Sequence, residues 1–196
     1  MDYRAAIAGY VRQQAAPVDK FSHQPRLYAL AVAVGDGLAY DDDVLYAAAW
    51  LHDLGVFIGH RPEDPAELAR WDNVAYAVAS VPAILGRLGF PAARVAAVQS
   101  AIQHHLPAAA PPTIEGAILR DADILEQLGA VGILRTVSKV GRDTRFHTFG
   151  DALAALERNL ASLPGQLRLP AARRLAQARI AALAAFLAAA RAEGAE

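Results

Sequence analysis

A chain of 196 residues with a formal net charge of −1 and no cysteine is long enough for one domain of ordinary size with a sizeable core. Its near-neutral charge gives no bulk attraction to nucleic acid or to an acidic membrane. The missing cysteines exclude disulfides, thiolate nucleophiles and thiolate metal sites, so any metal must be held by imidazole and carboxylate. Lys20 and Lys139 are the only lysines, and the arginine bias reads as base composition, like the abundance of alanine. Met1-Asp2-Tyr3-Arg4 lacks the basic start and apolar core of a signal peptide. No apolar stretch reaches about 18 residues without a charge or turn signal, so no membrane-spanning helix is expected. The expectation is a soluble, cytoplasmic, single-domain protein over residues 1–196, with neither a nucleic-acid polymer nor a membrane as partner.

Apolar residues recur at three- and four-residue spacing through most segments, and strand signals are few, which predicts an all-α bundle of roughly eight to ten helices. A first helix runs over about 3–15 and ends before Pro17. Ser22 stands as an N-cap for a helix over 23–34, whose inner face carries Leu27, Leu30, Ala31 and Val34. Pro25 falls in its first turn, where it is tolerated. Gly35-Asp36-Gly37 breaks the chain, and Asp41-Asp42-Asp43 supplies a cap and first-turn acids to a helix over about 42–53. Residues 55–65, with Gly59, Pro62 and Pro65, read as a loop. The stretch 66–88 reads as one helix or as two broken near Trp71-Asp72, and another helix covers 91–105. Pro107, Pro111 and Pro112 enclose a rigid loop. Helices follow over 113–128, 130–140, 148–163 and 170–192, with Pro164-Gly165 between the last two. The final one, carrying Arg173, Arg174, Arg179 and Arg191, reads as a docking helix with one solvated face, packed internally or across a homodimer.

The apolar run Val44–Leu51 ends in His52-Asp53, with Gly55 as a stop signal. Burying an imidazole and a carboxylate without partners is costly, so the doublet implies a metal, a polar network or a helix end. His23 opens a helix, His52 closes one, and His104-His105 close another. Asp123 lies in the Ile118–Leu125 segment, beside apolar Ala122, Ile124 and Leu125, where a buried carboxylate is expensive.

The ordered set His23, His52-Asp53 and Asp123 resembles the HD-domain phosphohydrolase superfamily, whose signature is H…HD…D. Asp121-Ala122-Asp123-Ile124-Leu125-Glu126-Gln127-Leu128-Gly129-Ala130-Val131-Gly132-Ile133-Leu134-Arg135 is similar to a segment of a bacterial subgroup. The resemblance implies an HD-type helical bundle with a metal-site core over about 20–140 and C-terminal docking helices over about 148–192. It implies His23, His52, Asp53 and Asp123 as ligands to one divalent ion, with Asp121 and Glu126 behind them orienting or capping. This donor set suits Mn, Fe, Co, Ni, Zn or Mg alike. Neighbouring helical residues point about 100° apart, so His52 and Asp53 share an ion most easily at a fraying helix end.

Two-metal members of the family carry a further histidine where this chain has Asn73, an amide and a poor ligand, which implies one ion. Expected around the ion are His104 or His105, one facing the site and one facing solvent, with Glu63 and Asp64 as further acid–base candidates. Arg26, Asn73, Arg135 and Lys139 are candidates to hold substrate. His60 reads as an exposed loop residue, His147 as a helix start. The expected activity is hydrolysis of a phosphate ester or anhydride of a small metabolite, a nucleotide above others. The alternatives are a di-iron oxygenase on the same fold and a non-catalytic nucleotide-binding protein.

Overall fold

The computed structural model describes residues 2–143 and 145–194, and among them it contains ten α-helices and no strand. These are α1 (Tyr3–Gln14), α2 (His23–Val34), α3 (Asp42–Leu51), α4 (Pro65–Leu68), α5 (Asn73–Arg87), α6 (Val95–Gln103), α7 (Ile114–Glu126), α8 (Gly129–Val137), α9 (Phe149–Ser162) and α10 (Pro170–Ala192). The all-α expectation holds, and the break near Trp71-Asp72 is real. Packing divides the chain into two compact units, Met1–Arg120 and Asp121–Glu196, with the boundary inside α7.

The first unit is built around α3. Every residue from Val44 to Leu51 is buried, as expected of a helix apolar on all sides. The small side chains of Ala47, Ala48 and Ala49 allow close neighbours, and α3 packs against α1, α2 and α6. Asp41 caps its start by accepting from the backbone N–H groups of Asp43 and Val44. The same corner is latched from two directions. Arg4 of α1 reaches Asp42 at 2.7 Å and Asp43 at 2.6 Å. Arg94, before α6, pairs with Asp41 at 3.0 Å and also with Asp43. Tyr3 donates its hydroxyl to Asp43 at 2.7 Å. Burial alone would raise the Asp43 pKa, but Tyr3, Arg4 and Arg94 outweigh it and hold the carboxyl below its ordinary range. An aromatic row runs beside the latch: Arg4 lies over Tyr46, Tyr46 contacts Trp50, Trp50 contacts Phe21, and Arg12 lies over Phe21.

Boundaries differ from expectation where a tight turn replaces a cap. Ser22 makes no capping hydrogen bond, because the 3₁₀ turn Val18–Ser22 runs straight into α2 and the His23 N–H donates to the Lys20 carbonyl. The third helix stops at Leu51 rather than 53, with His52 as its cap residue and a 3₁₀ turn over Leu54–Val56.

In the second unit α8, α9 and α10 pack against one another, burying Gly132, Leu153, Leu156, Ala172, Ala176, Leu183 and Leu187. Thr148 and Asp151 form a capping box at the start of α9. Here one expectation changes: α10 spans 23 residues with mean hydropathy 1.3 over its most apolar stretch, long and apolar enough to cross a membrane by length and composition. Its arginines are spaced so widely that an 18-residue stretch holds no more than two charges. Three of the four arginines are nevertheless engaged within the unit, Arg173 with the Leu167 carbonyl, Arg179 with the Leu125 carbonyl and Arg191 with Glu157.

Asp43→Asn is expected to lower stability at pH 7 by about 1–2 kcal/mol, since two arginines lose their shared charge. A carboxyl held below its ordinary range stabilises above the unfolded-state value of about 4 and loses that contribution as pH falls through its lowered folded value. Thermal melts at stepped pH should therefore show the gap between the variants closing on the acid side.

Candidate metal centre

Three donor side chains converge where the start of α2 meets the end of α3. His23 Nε2 lies 3.4 Å from His52 Nε2. Asp53 spans the pair, with Oδ1 3.5 Å from His52 Nε2 and Oδ2 3.6 Å from His23 Nε2. Both imidazoles are buried, while the Asp53 side chain is 21% exposed and gives the cluster its opening to solvent. Together the three offer donors that could hold one ion. Ligands about 2.0–2.2 Å from a common ion lie about 2.8–3.1 Å apart at right angles and about 3.3–3.6 Å apart at tetrahedral angles. The observed separations match, so the residues present fit a divalent metal.

The backbone sets the histidine chemistry. His52 donates Nδ1–H to the Ala49 carbonyl at 3.0 Å; a carbonyl only accepts, so the neutral ring keeps its lone pair on Nε2, facing the cluster. His105 likewise donates Nδ1–H to the Ile102 carbonyl at 2.6 Å. It is buried, and its ring packs edge-on against His52 at 5.0 Å. His104 donates Nδ1–H to the Ser100 carbonyl and is half-exposed. Of the two neighbours at the frayed end of α6, His105 is the one that joins the cluster.

Gly55 makes the centre compact in a way the sequence does not announce. A Cβ there would meet the Asn73 carbonyl oxygen at 2.5 Å and the Asn73 Cα at 2.6 Å. The missing side chain lets the first residue of α5 sit against the turn that follows Asp53, and Trp71 Nε1–H donates to the Gly55 carbonyl at 2.8 Å. Asn73 is therefore beside the metal turn, half-buried.

Other expected site residues have different employment. Asp64 caps α4, its Oδ1 accepting from the N–H groups of Ala66 and Glu67. Glu63 is exposed and lines a recess with Ile58, Arg61, Pro62 and Leu68. Arg26 sits one turn into α2, half-buried. His60 is not simply exposed: it donates Nε2–H to Gln14 Oε1 and accepts from the Tyr76 hydroxyl, both at 2.9 Å, and its burial lowers its pKa, which favours the neutral ring. No sequence pattern marks that bridge, because its partners are 46 and 16 residues away.

In the second unit, Asp121 is fully buried and accepts from the N–H groups of Arg168 and Leu169, the capping role among those anticipated for it. Buried Glu126 pairs with Arg135 at 3.2 Å, and Lys139 lies over the Phe146 ring. Arg135 and Lys139, two of the three cations expected to hold substrate, thus each have a partner within their own unit. Asp123 is half-buried and accepts from the Gln127 amide at 3.2 Å.

Two histidines and an aspartate gathered at helix ends make this an all-α fold with side chains able to hold a metal ion. Residues 21–128 match the family model of the HD domain, more than half of the chain, and the chain belongs to that family. No curated protein matches it. Among solved structures it is similar to Bacillus subtilis YpgQ in complex with ADP, at 24% identity and TM-score 0.76, covering 97% of this chain and 94% of that one. It is also similar to a predicted HD superfamily hydrolase from an uncultured Thermotogales bacterium, at 25% identity and TM-score 0.65, covering 96% and 91%. A third is an HD-superfamily hydrolase from Bacillus thuringiensis, at 20% identity and TM-score 0.70, covering 97% and 95%.

Two outcomes follow. Asp53→Ala should lower the affinity for Mn²⁺ at least 100-fold by calorimetry while leaving far-UV circular dichroism unchanged. Gly55→Ala should cost about 2–3 kcal/mol in chemical denaturation, because the new Cβ meets backbone rather than a side chain that can turn away.

Proposed function

We propose that the protein is a metal-dependent phosphohydrolase acting on a phosphate ester or anhydride of a small metabolite, a nucleotide above others. The observation that carries this reading is the cluster in which His23 Nε2 and His52 Nε2 lie 3.4 Å apart and each lies 3.5–3.6 Å from one of the two Asp53 oxygens, buried at the imidazoles and open on the carboxylate side. A bound divalent ion supplies positive charge to phosphoryl oxygens and activates water near neutral pH. The chain's own part is to hold the His52 lone pair ready beside His23 and to keep Asp53 reachable from solvent. His105, packed edge-on against His52, is proposed to carry a proton during the reaction, and Arg26, one turn beyond His23, to offset charge on the phosphate.

Asp123 is proposed as the fourth ligand, on the family resemblance and because the HD match at residues 21–128 spans it. The same match runs past Arg120, and on that ground residues 1–196 are read as one HD domain. One ion is favoured over two because Asn73, beside the metal turn, offers an amide where a second transition metal needs an imidazole. That weighs against oxygen chemistry at two irons. The presence of ADP in the YpgQ structure supports nucleotides as the substrate class, and cytoplasmic work on soluble nucleotides suits a site without thiolates.

The test is a panel of nucleoside mono-, di- and triphosphates and phosphorylated sugars with Mn²⁺, Co²⁺, Ni²⁺, Zn²⁺ or Mg²⁺. Release of phosphate or pyrophosphate that is abolished by chelation supports the reading; no release from any member overturns it. Asp123→Ala is expected to weaken metal binding at least tenfold, and unchanged affinity would remove it from the ligand set.

A further inference from the structure

The loop from Leu54 to Asp72 leaves the metal turn and is fixed at both ends. Ile58 N–H donates to the Ala16 carbonyl at 2.9 Å, and His60 bridges Gln14 of α1 and Tyr76 of α5. Trp71 is bonded to Gly55 and packs on Tyr76 at 5.2 Å. Despite this rigidity the loop turns apolar side chains outward: Ile58 is 47% exposed and Leu68 36%. Between them lies a recess of about 240 Å³ lined by Ile58, Arg61, Pro62, Glu63 and Leu68. Arg61 and Glu63, both exposed, make no side-chain hydrogen bond or ion pair with any described residue. A surface loop usually frays or hides its apolar residues; this one holds an apolar-walled recess open with two unneutralised opposite charges on it.

The dimensions suit part of a ligand. Pockets for whole drug-sized molecules enclose about 300–1,000 Å³, so this recess takes one flat ring system and leaves the remainder outside. Ile58, Pro62 and Leu68 offer apolar surfaces for such a ring. The charges ask for a ring with two adjacent donors, matching a carboxylate, and two adjacent acceptors, matching a guanidinium. Guanine has both: N1–H with the 2-amino group, and O6 with N7, the edge that Arg reads as a fork. Adenine presents a mixed donor–acceptor edge that suits an amide instead. Five residues of chain cannot separate Asp53 from Ile58 by more than about 18 Å, and the 3₁₀ turn over Leu54–Val56 shortens that. The recess therefore lies in the neighbourhood of Asp53, on the loop that leaves it.

We propose that this recess holds the guanine base of a guanine nucleotide, with Glu63 accepting from N1–H and the 2-amino group and Arg61 donating to O6 and N7. The location of the phosphate rests on the phosphohydrolase reading; the recognition of the base does not. Glu63 is thereby a specificity residue rather than a carrier of protons.

The experiment is calorimetric binding of GMP, AMP, CMP and inorganic phosphate to the full chain in chelator, repeated with Glu63→Gln, which sets an amide N–H against guanine's donors. GMP should bind at least tenfold more tightly than AMP or CMP. Glu63→Gln should remove at least tenfold of the GMP affinity while AMP changes less than twofold. Equal binding of the three nucleotides, or an unchanged GMP-to-AMP ratio in Glu63→Gln, overturns the proposal. A Glu63→Gln effect confined to kcat and equal for all bases overturns it too, returning Glu63 to acid–base work. Guanine preference in binding without turnover of any nucleotide supports the recess and removes the phosphohydrolase reading instead.

Discussion

Two imidazole nitrogens held 3.4 Å apart inside an apolar bundle impose a condition on everything around them. Each ring loses water on burial, and a buried polar group left without a partner is costly. Around His52 the fold meets that condition locally. The last turn of α3 presents the Ala49 carbonyl to His52 Nδ1, which satisfies one nitrogen and fixes the tautomer. The other nitrogen is left to the centre. His105 repeats the device at the end of α6 with the Ile102 carbonyl. Helix ends are where carbonyls lack intrahelical partners, so the histidines use what the helices leave over.

Precision at that end of α3 depends on the whole helix being unable to move. Its eight central and terminal residues from Val44 to Leu51 are buried, and dense packing tolerates little displacement. About 15 Å away, at the far end of the ten-residue helix, Asp43 is gripped by Tyr3, Arg4 and Arg94. The two ends of α3 therefore carry different chemistry for one purpose. Charge anchors the start, and the anchored rod presents His52 and Asp53 at its finish.

Much of this was legible in the sequence because it is local. Helical periodicity, Asp41 as a cap, the break at Trp71-Asp72 and the His52-Asp53 terminus each follow from residues within a few positions of one another. Non-local facts were not legible. Nothing adjacent to His60 marks its bridge between Gln14 and Tyr76, and Gly55 reads as a helix stop although its role is to admit the backbone of Asn73. Which of His104 and His105 turns inward depends on how α6 ends against α3, a matter of rotation that a dipeptide does not encode. Asp64 and Glu63 are adjacent and chemically alike, yet one caps a helix and the other stands on a recess wall.

α1 lies before the HD match at residues 21–128, yet it acts as a splint for the loop inside that match. Its first turn grips the start of α3 through Arg4, and its last residue, Gln14, with Ala16 just beyond, holds His60 and Ile58. The His23, His52 and Asp53 cluster and the shape of the ground beside it are thus written in separate stretches of chain. A lineage can redraw its first helix, and with it the loop, without disturbing a single metal donor. Choice of substrate and capacity for chemistry are then free to diverge at different rates.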